Sequence, residues 1–402
     1  MTFPCVEHPP RARAQAYGWG VEIDAEPLAR LHERTSSKWT RYAPDVLPLP
    51  VAEMDYPLAP AIKQALMQAV ERSDTGYNKN SLPVAEAFAG FAERHWNWQL
   101  DPSMVTVTAD VVMGLVESLR MVTKPGDSIV ICPPVYFPFF ALGPEIGCTT
   151  VEVPLTGTIA EGWEMDFAGI EAAFAQGARA LVLCSPHNPV GRVWTAAELE
   201  RLLLLAERYD AWIIADEIHG PLSYAEHRFV PILTVPGGDE HALSVSSASK
   251  SFNLAGLKCA HITAGSPRGK ALLDGLPMEV EWRAAHFGVI ANTVAFREGD
   301  EWLAAVLRRL DENRRLLAEL LRSHLPLARY RLPEATYLGW IDLSEYPEFG
   351  DDPSAVALAK AKLALSIGPD FGRQGLKHTR INFACAPDTL SEAVERLASI
   401  LA

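Results

Sequence analysis

Residues Ala211–Trp212–Ile213–Ile214–Ala215 form an unbroken apolar run that ends at Asp216–Glu217–Ile218–His219. A strand with one wet face alternates polar and apolar residues, so a run without alternation has to be covered on both faces. Ala242 to Val245 also reads as a buried strand, and Arg179 to Cys184 as another. Between two of these strands, Thr195–Ala196–Ala197–Glu198 carries the spacing of a capping box and opens a leucine-rich helix that runs to Tyr209. Strands of this kind separated by helices specify a doubly wound α/β domain with a mostly parallel sheet. Ligands of such sheets bind at the carboxyl ends of the strands. Three strand exits are therefore candidates for one shared site: Asn188 in the turn cluster Ser185–Arg192, Asp216, and Lys250 in the hydroxyl-rich stretch Ser246–Lys258.

The remaining pattern fits this plan. Helices are expected from Ala59 to Glu71, with Ile62, Leu66, Ala69 and Val70 at helical spacing, and from Val84 to His95. The β-branched run Met104 to Thr108 precedes a helix from Asp110 to Met121, for which Asp110 is the cap. Strands are expected at Ser128–Cys132, Cys148–Val153 and Cys259–Ala264, with a short helix at Tyr136–Leu142. Asp300 to His324 reads as a long amphipathic helix. After it come strand-like Thr336–Asp342 and Arg380–Ala384, and helices at Ser354–Leu365 and Thr389–Ile400. The expected division is an N-terminal arm and part of a small domain over 1–50, a large domain over 51–295, and a connecting helix with a smaller α+β domain over 296–402.

The formal net charge of −14 is spread along the chain, which argues against nucleic acid or an anionic membrane as partner. Cys5, Cys132, Cys148, Cys184, Cys259 and Cys385 lie far apart with no metal-ligand spacing. They read as small buried hydrophobes in a reducing compartment, with no metal expected. Residues 1–20 hold prolines and charges but no apolar signal segment, and no stretch approaches the length of a membrane helix. A cytoplasmic location is expected.

Asparagine, aspartate and lysine at three strand ends are what pyridoxal 5′-phosphate asks of a protein. Lys250 would form an imine with it, its nitrogen made nucleophilic by partial desolvation. Asp216 would hold the ring nitrogen, and Asn188 would donate to the phenolic oxygen. Tyr136 could cover the ring. The backbone N–H groups of Val111 and Val112 would face the phosphate at a helix N-terminus, with hydroxyls from Ser247 and Ser249. His219 reads equally as a neighbour of the ring or as a satisfied core histidine.

The motifs Ser185–Pro186–His187–Asn188–Pro189–Val190–Gly191–Arg192, Asp216–Glu217–Ile218–His219 and Ser247–Ala248–Ser249–Lys250–Ser251–Phe252–Asn253–Leu254–Ala255–Gly256–Leu257 resemble those of fold-type I pyridoxal-phosphate enzymes of the aminotransferase superfamily. The subfamily resembled is the cystathionine β-lyase or C–S lyase group related to the maltose-regulon modulator, to which His219, Phe252–Asn253 and Val51–Ala52–Glu53–Met54–Asp55–Tyr56 point. The resemblance runs from about Pro48 to Ala386. It departs at Pro50, where that group has tryptophan, at Glu53, where it has aspartate, and at Lys258, where aminotransferases carry a phosphate-binding arginine.

From the resemblance follow three further assignments. Tyr77 would reach the phosphate of a neighbouring subunit in a homodimer, Lys258 would neutralise phosphate as a point charge, and Arg380 would pair with the substrate α-carboxylate. The implied activity is α,β-elimination from a cysteine S-conjugate, giving thiol, pyruvate and ammonia, with Lys250 as the base and a small amino acid as substrate. Pro50 and Glu53 motivate an alternative with the same cofactor: an aminotransferase, or a biosynthetic variant that decarboxylates or oxidises a cysteine conjugate. A third reading is a member of the same fold whose role is to bind a regulatory protein.

Overall fold

The computed structural model describes residues 22–78 and 80–401. The readings made on Cys5, on the segment 1–20 and on the beginning of the arm lie outside those residues. Seven strands make the large sheet: β1 (Val105–Thr108), β2 (Ser128–Ile131), β3 (Thr149–Glu152), β4 (Ala178–Cys184), β5 (Trp212–Asp216), β6 (Ala242–Ser246) and β7 (Ala260–Ala264), in the spatial order β1-β7-β6-β5-β4-β2-β3. The pairs from β6 through β5, β4 and β2 to β3 are parallel. β7 is antiparallel to both of its neighbours. The chain reaches β7 from β6 through residues 247–259 with no crossover helix, and without one the next strand must run back.

The apolar run that opened the argument is explained by what covers it. Leu181, Leu183, Ile213 and Ala215 belong to one core. Ala180, Val182, Ile214 and Val245 belong to another on the opposite face. Successive residues of each strand thus face two dry surfaces, and polar alternation has no place.

A smaller antiparallel sheet joins Arg329–Tyr330, Leu338–Asp342, His378–Asn382 and Ser366–Ile367. Leu338, Ile341 and Ile381 of this sheet share a core with Leu310, Leu317 and Leu321 of the helix Asp300–His324 and with Leu390 and Val394 of the helix Pro387–Ala398. That core also takes in Ile23, Leu47 and Leu49 from the N-terminal side.

Some boundaries differ from the sequence expectation for identifiable reasons. The helix expected over Ser354–Leu365 ends at Ala361, because Lys362 turns into the left-handed region at φ 52° and Leu363–Ala364 pairs in parallel with Leu47–Pro48. That partner lies far away in sequence and leaves no local signal. The short helix expected at Tyr136–Leu142 is displaced to Phe139–Glu145, since Val135 N–H donates to Phe371 O at 3.0 Å and holds the start of the segment as a loop. Helices Phe167–Ala175, Pro267–Asp274 and His286–Glu298 are present where the sequence reading assigns no element.

Candidate active site

Register brings the three strand exits together. Asp216 ends β5, paired with Cys184 of β4 on one side and Val245 of β6 on the other. Asn188 follows Cys184 by four residues and Lys250 follows Ser246 by four, so both loops leave the sheet beside Asp216. Asn188, Asp216 and Lys250 all line one cavity of about 470 Å³, together with Tyr136, His219 and Arg380.

Lys250 Nζ donates to Ala52 O at 2.9 Å, and Tyr337 Oη donates to the same carbonyl at 3.0 Å. Burial, reinforced by the Arg380 guanidinium, lowers the Lys250 ammonium to about 8. Ala52 belongs to a backbone segment fixed from three sides. Asn253, at φ 59°, donates from Nδ2 to Met54 O and accepts Met54 N–H on Oδ1, both at 2.9 Å. Asn382 Nδ2 donates to Val51 O and Glu53 O at 2.7 Å each. Lys38 reaches Asp55 at 2.5 Å in a fully buried pair.

Asp216 is buried, with Ile218 N–H on Oδ1 at 3.2 Å, and burial pushes its carboxyl up to about 7. A carboxylate placed so is short of a cationic or donor partner, which a protonated ring nitrogen would provide. The adjacent Glu217 serves another purpose. It accepts Ser244 Oγ–H at 2.5 Å and Ile232 N–H at 2.8 Å, tying β5 to β6 and to the loop beyond.

Arg380 is buried in the smaller sheet and donates from Nη1 to Asn188 Oδ1 at 2.9 Å. That bond leaves the Nδ2 donor of Asn188 for a ligand. Its Nη2 donates to Pro50 O at 3.0 Å and Ser366 Oγ at 2.9 Å, while Nε is buried with no partner. The departure at Pro50 thus falls where only a main-chain carbonyl is used, and a missing N–H costs nothing there. The Glu53 side chain turns away to accept Ser36 Oγ–H at 2.7 Å.

On the opposite side, the helix Val111–Val122 points its first turn into the cavity. Asp110 caps it by accepting Met113 N–H at 2.9 Å, and Val111 and Val112 occupy the first helical positions, whose N–H groups have no intrahelical acceptor. A side chain at Gly114 would lie 2.5 Å from Val245 Cγ1, so glycine is what lets this helix approach the sheet. Lys258 pairs with Asp110 at 2.8 Å and lines the same end.

Of the two serines, Ser249 lines the cavity, but Ser247 is buried behind it, donating to Cys259 O at 2.6 Å. His219 is buried with Nδ1 unpartnered, and burial lowers it to about 3, so the ring is neutral. Tyr136 borders the cavity with its hydroxyl held protonated by burial. Tyr77 stands apart, 90% exposed, its ring 5.8 Å from that of Trp282. Tyr337, Ser366 and Phe371 serve the site without any motif to announce them. Asn253 stands inside a motif whose hydrogen-bonding role could not be read. Among the described residues no group of His, Cys, Asp and Glu could hold a metal ion.

An amine, a buried carboxylate, an amide donor and a helix N-terminus with a lysine meet the demands of pyridoxal 5′-phosphate. The unpartnered Arg380 Nε and His219 Nδ1 add polar capacity for a bound molecule.

Comparison with known proteins agrees. The family described as aminotransferase class I and II matches residues 44–397. A Mycobacterium leprae protein provisionally named cystathionine beta-lyase is 40% identical over 395 residues, covering 93% of this chain and 96% of that protein. The cystathionine beta-lyase of Corynebacterium glutamicum is 35% identical over 375 residues, covering 93% and 99%. A crystal structure from Corynebacterium diphtheriae, provisionally named a PLP-dependent beta-cystathionase, superposes with a TM-score of 0.89 at 32% identity over 94% of this chain and 99% of that one.

Proposed function

The chain belongs to the aminotransferase class I and II family, and we propose that it is a pyridoxal-phosphate-dependent carbon–sulfur lyase acting on cysteine S-conjugates such as cystathionine. The observation that carries the reading is Lys250, an amine lowered to about 8 in the cavity that also holds Asp216 and Arg380. Lys250 would anchor the cofactor covalently, Asp216 would partner its ring nitrogen, and Asn188 Nδ2 would donate to its phenolic oxygen. Tyr136, which lines the cavity, would cover the ring. Val111 and Val112 N–H, Ser249 and Lys258 would hold the phosphate. When bound, pyridoxal phosphate supplies an electron-withdrawing ring that stabilises negative charge at the substrate Cα.

The chain's own groups do the rest. Arg380 offers a planar fork to the substrate α-carboxylate, with Phe371 4.8 Å from its guanidinium to hold the plane. Lys250 Nζ takes the Cα proton, and its lowered pKa keeps a share of it as free amine near neutrality. Ala52 O and Tyr337 fix where that nitrogen sits. The β-sulfur leaves as thiol, and water converts the remainder to pyruvate and ammonia.

The assembly proposed is a homodimer in the cytoplasm. Tyr77 is too exposed to serve its own cavity, and Met67, Val70, Leu82 and Met278 are also exposed, in support of an apolar face covered by a second copy. Five described cysteines are free and buried, in keeping with a reducing compartment, and among the described residues no helix is long and apolar enough to cross a membrane. Separate sheets, one of seven strands within 105–264 and one of four within 329–382, support the division into a large domain over 51–295 and a small one over 296–402, although one core, with Phe88 and Phe252 beside Leu338 and Ile381, runs across that boundary.

The test is an absorbance spectrum of the holoenzyme with pyruvate assayed after adding L-cystathionine. A visible band lost in Lys250→Ala, together with pyruvate, is expected. A band without pyruvate would move the reading to transamination, and no band after added pyridoxal phosphate would overturn the cofactor.

A further inference from the structure

The cavity has a second polar end. Its inner end holds Lys250, Asp216, Asn188 and Arg380, and its lining also includes Arg41 and Asp370, both exposed. One wall of the cavity carries the aromatic rings of Phe371 and Phe137, and ring contacts give their order. The Arg380 guanidinium lies 4.8 Å from the buried Phe371 ring, Phe371 meets Phe137 edge-on at 6.3 Å, and Phe137 is 50% exposed. Asp370 stands immediately before Phe371 in the short turn Gly368–Phe371, and Arg41 follows the helix Ser37–Thr40.

Arg41 and Asp370 form no ion pair with each other or with any other described residue. Their charges are nonetheless close enough to interact: burial and Asp352 raise the Asp370 carboxyl, and Arg41 opposes them. The Arg41 guanidinium lies 5.7 Å from the Tyr42 ring, and a cation and an anion without ion-pair partners at one opening complement a zwitterion. A thioether joining two amino acids has this shape, with an α-amino acid head at the inner end, sulfur and methylenes along Phe371 and Phe137, and a second head at the mouth.

We infer that Arg41 and Asp370 form a subsite for the distal amino-acid head of the substrate, the carboxylate on Arg41 and the ammonium on Asp370. The enzyme then selects thioethers carrying two amino-acid heads over S-alkyl cysteines. The inference rests on the carbon–sulfur lyase reading of the same cavity. Because both charges are solvated, neutralising one changes kcat/KM by about threefold to fivefold, and reversing one by about tenfold.

The experiment compares pyruvate release from L-cystathionine and from S-ethyl-L-cysteine, which lacks the distal head, in wild-type, Arg41→Glu and Asp370→Asn holoenzyme. Arg41→Glu is expected to lower kcat/KM about tenfold for L-cystathionine and less than twofold for S-ethyl-L-cysteine, with Asp370→Asn giving about a threefold loss in the same direction. A parallel loss on both compounds, or none on either, overturns the subsite. Titration of the visible absorbance with L-cystathionine makes the comparison without turnover. If wild type releases pyruvate from neither compound, the lyase reading falls; a Kd raised about tenfold in Arg41→Glu still supports the subsite, and an unchanged Kd overturns it.

Discussion

Two lysine–aspartate pairs flank the cavity, and they are built for different tasks. Lys38 and Asp55 meet at 2.5 Å with side chains 0% and 1% exposed, while Lys258 and Asp110 meet at 2.8 Å with side chains 57% and 31% exposed. The buried pair sits beneath the segment that carries Ala52, and Lys38 also donates to Glu53 O at 3.2 Å. Burial raises the Asp55 carboxyl against the pull of Lys38, and Asp55 Oδ2 has no partner. Such a pair costs desolvation and gives back geometry: it holds in place the carbonyl that positions Lys250. The solvated pair at the helix N-terminus costs little to form and little to break, so Lys258 remains available to an incoming anion. Identical residue types are thus a structural lock on one side and an exchangeable ligand on the other.

The largest effect should come from breaking the lock. Lys38→Met leaves a buried, uncompensated carboxylate and is expected to cost about 3–5 kcal/mol in urea unfolding at pH 7, with Asp55→Leu in the same chain recovering most of it. A middle effect concerns Lys250. Its pKa in the folded chain, about 8, is below the ordinary 10.5, so between those values the unfolded chain holds more protons and stability rises with pH. Apoprotein Lys250→Met should therefore exceed wild type in stability at pH 7 by on the order of 1–2 kcal/mol, less than the full shift because the amine is partly solvated. The gap should narrow from pH 8 upward; a gap independent of pH would contradict a buried ammonium. The smallest effect belongs to Lys258→Met, under about 1 kcal/mol in the same unfolding measurement, accompanied by weaker retention of pyridoxal phosphate on dialysis. Equal stability losses for Lys38→Met and Lys258→Met would erase the contrast between the two pairs.

Much of the site was legible because its chemistry sits at the ends of continuous strands. Asp216 could be placed from the apolar run before it, and Asn188 and Lys250 from similar exits. The sequence did not show what the adjacent acid Glu217 does: it is hydrogen-bonded to Ser244 and Ile232, while Asp216 faces the cavity. Nor could it separate Ser249, which lines the cavity, from Ser247, which serves Cys259 O. In an extended or turning segment one residue's difference reverses the direction of a side chain. Ser366 and Tyr337 carried no signal at all, because each acts through a carbonyl, of Pro50 and Ala52, more than two hundred residues away.

The sequence by itself determined the alternation of apolar strands and helices, and with it a doubly wound sheet whose strand ends carry an asparagine, an aspartate and a lysine. Hydrophobic periodicity is local, so it can be read from one stretch at a time. Only the tertiary structure decided that Arg380 reaches across from the smaller sheet to Asn188, that Lys38 locks Asp55, and that Arg41 and Asp370 share the mouth of one cavity. Those pairings join separate segments of the chain, 17 residues apart for Lys38 and Asp55 and 192 for Arg380 and Asn188, and their energies depend on burial and distance, which come into being only when the layers close on one another.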